Sequence, residues 1–208
     1  SIDAMLMAGC YQRKIDPKGP DAPSSMAEAT ARFFRVRDGH LGRISREEMG
    51  ALADHIHVVA VGDKKKPCYL IIDRGEGQTP AKFPDTFLSL ARTNKLEIPF
   101  VQGKFNAGGT GVLQFCGTEN YQLIVSRRHP GCPADPQDQT YDLWGFTLVR
   151  RLLPSKGRRS SMYVYLAPDG QIPAFQKDAI RVLPGKSAGP NQPDVAYAVD
   201  LPYGTCIK

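Results

Sequence analysis

With 208 residues, 41% of them apolar and 23% charged, the chain can close a core of its own as one sizeable domain, and a wholly disordered segment is excluded. No apolar run approaches the roughly 20 residues a membrane span needs, and the first residues lack the pattern of a secretory signal, so a soluble cytoplasmic chain is expected. The net charge of +6 is uneven: residues 1 to 150 carry 19 basic and 17 acidic side chains, residues 151 to 208 carry 8 and 4, and the densest cluster is Arg150, Arg151, Lys156, Arg158 and Arg159.

In chain order, Ile2 to Ala8 has apolar residues at helical spacing and reads as part of an amphipathic helix. A proline-rich loop over residues 16 to 25 follows, and Met26 to Phe34 can return as a helix. Ser45-x-x-Glu48 has capping-box spacing and opens a helix through Ala53. The period then shortens: Ile56 to Val61 and Cys68 to Ile72 are β-rich runs joined by Gly62-Asp63-Lys64-Lys65-Lys66-Pro67, a hairpin signal. Phe83, Phe87, Leu88 and Leu90 place an apolar face on a short helix from Pro84 to Ala91, and Gly109 to Phe115 reads as another helix entered through glycines. Strands are expected at Tyr121 to Ser126, Leu143 to Leu153, Ser161 to Leu166 and Val195 to Lys208. This order favours an α+β, two-layer sandwich with helices on one face of a mixed, largely antiparallel sheet.

Three segments could carry chemistry. In Asp73-Arg74-Gly75-Glu76-Gly77 a buried strand delivers a carboxylate to its end, and the glycines let a flat ligand approach the backbone without meeting a Cβ. In the segment Gly103 to Gly111, four glycines in nine residues expose backbone N–H groups that can hold phosphates. It is not a Walker loop, because Phe105 follows Lys104 where Ser or Thr is required, and Gln114 breaks the dinucleotide fingerprint. Gly204-Thr205 lies in a late strand.

Taken together, these segments resemble the Bergerat ATP-binding fold of the histidine-kinase-like ATPases, a family that includes gyrase-type topoisomerases, large heat-shock chaperones and sensor kinases. The sequence also resembles large bacterial ATP-binding proteins of that superfamily. Asp73-x-Gly75-x-Gly77 looks like the family's first glycine box, Gly103 to Gly111 like its second, lid-bearing box, and Gly204-Thr205 like its last. The resemblance implies that ATP and Mg2+ are the cofactors. It implies that Asp73 accepts a hydrogen bond from the adenine amino group, that Gly77 lies against the base with Gly75 in the same cofactor-binding box, and that Thr205 supports Asp73. It further implies that Gly108, Gly109, Thr110 and Gly111 offer backbone donors to the phosphates, with Asn106 in the same box and Lys104 or Lys95 as a point charge. The stretch from Arg92 to Asn106 is expected to be a mobile lid with few anchors.

Ser1-Ile2-Asp3-Ala4 resembles the end of the family's N-box helix, Glu-x-x-x-Asn-x-x-Asp-Ala, which makes Asp3 a further candidate. The box's Mg2+-binding Asn and catalytic Glu would then fall ahead of Ser1. The 208 residues are accordingly expected to be a single ATP-binding domain that begins inside the N-box helix and ends in the Gly-Thr strand, with no catalytic residue and no metal ligand of its own. The implied function couples nucleotide binding and lid closure to a partner module of the same polypeptide, with dimerisation as one route. The alternative is an interaction or nucleic-acid-binding scaffold that uses the basic cluster at 150 to 159; no aromatic residues are interleaved there, so a solvated hairpin tip is favoured over a nucleic-acid face.

The remaining candidates read as structural. His55 and His57 share a strand face but lack a third ligand nearby. Cys116, His129 and Cys132 match no zinc spacing, and the five scattered cysteines read as reduced thiols. Trp144 reads as core.

Overall fold

The computed structural model describes residues 1–63, 65–89, 95–103, 107–183 and 198–208. Helix α1 (Ile2–Gln12) buries Met5, Leu6, Met7 and Cys10. Helix α2 (Met26–Phe34) starts at Ser25, whose hydroxyl accepts the Glu28 N–H, and stops at Arg35 in the left-handed conformation, φ 59°. Its inner face, Ala29 and Phe33, meets α1 so closely that a Cβ on Gly9 would lie 2.8 Å from the Phe33 ring. Helix α3 (Arg46–Ala53) has the expected capping box in both directions: Glu48 N–H donates to Ser45 Oγ at 3.1 Å, and Ser45 N–H donates to the Glu48 carboxylate at 3.0 Å.

The expected hairpin is β1 (Ile56–Asp63) with β2 (Lys66–Asp73). A short helix α4 (Ala107–Gly111) runs into a 3-10 turn at Val112–Phe115. Then come β3 (Tyr121–Arg127), β4 (Trp144–Leu152), β5 (Met162–Tyr165), β6 (Ala174–Phe175), β7 (Ile180–Val182), β8 (Val199–Leu201) and β9 (Gly204–Ile207). The main sheet has the order β1-β2-β9-β3-β4-β5, with β6 also on β4, and every strand pairing among the described residues is antiparallel rather than mixed. The protein is thus α+β around a largely antiparallel sheet, with its longer helices ahead of most of its strands as the hydrophobic periodicity predicts.

Antiparallel register sorts the inward residues by face. On one face Leu70, Ile72, Cys206 and Trp144 pack under Val199 and Leu201. Those two belong to a separate two-stranded sheet, β7 with β8, which closes the face that a two-layer arrangement would leave without a cover. On the other face Ile124 and Val149 pack with Leu113 and Phe83. The first turn of α1 meets this same side at the end of β2, where Asp73 points.

Two expectations are corrected. No helix forms over the described part of Pro84 to Ala91: Pro80–Lys82 is a 3-10 turn, and Phe83 to Phe87 continues as turns. Side chains compete for the carbonyls there, Thr86 Oγ1 donating to Lys82 O at 2.7 Å and Ser89 Oγ to Asp85 O at 3.0 Å, while Leu88 N–H reaches back to Phe83 O. Phe83 and Phe87 pack edge to face instead, 5.1 Å between centroids. The expected lid is also anchored where it is described. Ile98, Phe100 and Val101 are buried in the α1–α2 cluster, an apolar signal that lies just ahead of the glycines and outweighs them locally.

Candidate functional site

Because β9 lies between β2 and β3, its register places Asp73 opposite Thr205 and Thr205 opposite Ser126, so three polar side chains form one row across three strands. All three are buried. Ser126 Oγ donates to the Gly204 carbonyl at 2.9 Å and accepts the Gln78 N–H at 2.9 Å. Its 2.9 Å contact with Thr205 Oγ1 is therefore supplied by the threonine proton. Thr205 has spent its only donor on Ser126, so it faces its surroundings as an acceptor and holds Asp73 through register rather than by donating to it. Asp73 accepts from the Gly75 N–H at 3.1 Å, and burial pushes its carboxyl above the ordinary carboxylate range.

The glycines around this row are fixed by close approaches. A Cβ at Gly75 would lie 2.6 Å from Ala4 of α1, and one at Gly77, φ +56°, would overlap the Arg127 carbonyl. Gly204, φ +105°, meets the Asp73 carbonyl in the same way, which lets β9 enter beside β2. Asp3 caps a backbone turn: its carboxylate accepts Gln102 N–H at 3.0 Å and Gly103 N–H at 2.6 Å. It thereby ties α1 to the start of the second glycine segment. Within that segment Gly108, Gly109, Thr110 and Gly111 form α4, and a Cβ on Gly108, Gly109 or Gly111 would meet nothing within 4 Å. Lys104 and Asn106 lie outside the described residues.

Lys95 is turned to a different use. Glu76 is buried, with Arg128 Nη1 3.0 Å from one oxygen and Lys95 Nζ 3.3 Å from the other. The Arg128 guanidinium also lies over the Tyr11 ring of α1, 5.4 Å from its centroid. This triad borders a cavity of about 340 Å3 between α1 and the loop after Gly77, with Met7, Gln78 and Tyr141 among its walls. The fold therefore gathers Asp73, Gly75, Gly77, Thr205 and Asp3 around the first turn of α1, and adds Ser126, Glu76, Gln78 and Arg128. Ser126 could have been found from alternation along β3, where Gln122, Ile124 and Ser126 share a face; Arg128 carries no local signal.

Among the described residues no group of three or more His, Cys, Asp or Glu could hold a metal ion. His57 Nε2 lies 2.9 Å from Asp54 O. His129 accepts the Gly131 N–H on Nδ1 at 2.8 Å, and its Nε2 lies 2.9 Å from Gln12 Nε2. Burial pushes the Cys132 thiol up to about 11, and all five cysteines are unpaired. The basic cluster is partly engaged: Arg150 pairs with Glu119 and stacks on Tyr121, Arg151 donates to Ser161 Oγ, and Arg158 donates to the Leu153 carbonyl. Among the described residues no helix is long and apolar enough to cross a membrane. Neither the models of known protein families nor the curated proteins give a significant match to this chain.

Proposed function

We propose that the chain is an ATP-binding domain of Bergerat type, part of a larger histidine-kinase-like ATPase in which nucleotide binding and closure over the site drive a partner module. The observation that carries this reading is the row Asp73–Thr205–Ser126, whose proton inventory leaves two neighbouring acceptors, Asp73 and Thr205, on the side of α1. A ligand group that satisfies two acceptors is an amino group, as adenine N6 is; the O6 of guanine would oppose them as a third acceptor. Gly75 and Gly77 keep the surrounding backbone close, and Asp3 holds Gly103 at the entry to Gly108–Gly111, where the phosphates would lie.

Mg2+ belongs to this reading as the companion of the phosphates. The donors described in this chain do not fit it, since Asp3 accepts backbone N–H groups with both oxygens, and we assign it no ligand here. The work done by the parent protein and its oligomeric state follow from the resemblance alone.

A titration with a fluorescent ATP analogue and Mg2+ tests the reading. Asp73→Asn should weaken binding by at least about tenfold, the value of one hydrogen bond to a charged acceptor, and GTP should compete poorly. Binding that is absent, or indifferent to Asp73→Asn, overturns it.

A further inference from the structure

The same face of the sheet carries a second polar residue that the nucleotide row does not use. Gln122 lies four residues before Ser126 on β3, about 13 Å away along the strand. It is only 4% exposed and sits among Leu113, Ile124 and Val149. None of the hydrogen bonds among the described residues engages its amide. An inward position between apolar neighbours ordinarily takes an apolar residue, and an amide placed there needs a partner at the small surface it still reaches.

Its amide borders a void. A cavity of about 230 Å3 lies over Gln122 and Val149, roofed by Phe87 and Leu88 from the turn segment and by Leu113, with Tyr163 and the half-exposed Tyr165 of β5 on the open side. The register explains the assembly: Gln122 pairs with Val149, and Val149 pairs with Tyr165, so one cross-strand row forms the floor. The cavity is smaller than those that take drug-sized ligands, and most of its wall is aliphatic or aromatic. The Ser161 hydroxyl at its edge already accepts from Arg151. The Gln122 amide, with a carbonyl acceptor and an N–H donor side by side, is the buried orienting group of the pocket, and the hydroxyl-bearing Ser161, Tyr163 and Tyr165 line it as well.

We propose that this cavity is a binding site, separate from the Asp73 row, for a small planar ring that carries an adjacent donor and acceptor, the edge presented by an aryl carboxamide or a pyrimidine base. The ring lies between Phe87 and Val149, and its polar edge makes the paired hydrogen bonds that the Gln122 amide lacks. Gly109, in the segment assigned to the phosphates, also lines this cavity, so the two sites adjoin through α4 while their polar anchors, Asp73 and Gln122, are different.

Benzamide and uracil are the probes, with toluene as the apolar control, each followed by thermal unfolding and by the side-chain amide resonances of 15N-labelled protein. At concentrations of about 1 to 10 mM, suited to fragment-sized ligands, benzamide or uracil should raise Tm by roughly 2 to 4 °C and shift the Gln122 NH2 signals. Gln122→Met keeps the shape of the side chain and removes its polar edge. It should fold with unchanged or higher Tm and lose at least about tenfold in affinity for the polar probe while toluene binding is retained or improved. Response to benzamide alone assigns an aryl amide, and response to uracil alone a base. If neither polar probe binds, if toluene matches them on the natural chain, or if Gln122→Met binds them undiminished, the proposal is overturned.

Discussion

On one face of the central strands Leu70, Ile72 and Cys206 meet Trp144, Val199 and Leu201; on the other, the same backbones present Asp73, Thr205, Ser126 and Gln122. Both faces are buried, yet they obey different rules. The apolar face is stabilised by area and volume and tolerates any well-shaped replacement. On the polar face Asp73, Thr205 and Ser126 are held by hydrogen bonds while the Gln122 amide has none among the described residues, so these residues are retained at a cost that packing does not explain. Both proposed sites lie on the second face.

The largest effect that would test this contrast is Trp144→Ala. The indole is fully buried and donates to Lys177 O, so truncation should cost about 3 to 5 kcal/mol by denaturant unfolding. A loss below about 1 kcal/mol would mean that the β7–β8 cover contributes little. Next comes Glu76→Gln, which leaves Arg128 and Lys95 without the carboxylate between them and should cost about 3 kcal/mol, a loss largely recovered when Arg128→Met is added.

A smaller change, of opposite sign, is expected at Asp73. Burial raises its carboxyl above 3.8, so the unfolded chain ionises first and the ionised folded form is the costly one. Asp73→Asn should therefore gain about 1 kcal/mol at pH 7 while weakening the ATP analogue, and the gain should shrink as pH falls towards 3.8. A destabilised variant would assign the residue to structure. His129 gives a gentler slope. Burial, then Arg128, lowers its affinity for protons, and Gly131 N–H needs its Nδ1 lone pair. The unfolded chain takes up the proton first, so stability declines as pH drops below 6.5, and His129→Asn should flatten that decline. Smallest of all, neutralising Arg150, Arg151, Arg158 and Arg159 should move Tm by little and leave the salt dependence of any DNA or RNA affinity unchanged; a reduced slope would revive the scaffold reading.

What is legible in the sequence is local. Ser45 starts its helix through a capping box, and the hairpin follows from two β-rich runs joined by a short polar connection. Pro84 to Ala91 misleads because its apolar spacing is helical while Thr86 and Ser89 divert the carbonyls that a helix needs. In the site, Asp73, Gly75, Gly77 and Thr205 can be marked from motifs, and Asp3 from the likeness of its helix. Their geometry cannot be, since Thr205 meets Ser126 across 79 residues and Glu76 meets Arg128 across 52.

The position of β9 has a consequence for how the protein is made. The strand that joins the β1–β2 hairpin to β3, β4 and β5 is Gly204–Ile207, the last of these strands to leave the ribosome. Until it arrives, two partial sheets wait with their inner edges open, and neither can zip onto the other. Closure then depends on contacts more than 70 residues apart in sequence, such as Ser126 with Thr205, which are slow to form. Until then β2 and β3 lack the strand that lies between them in the folded sheet, and unpaired edges of this kind are open to pairing with other chains until the four residues of β9 fill the gap.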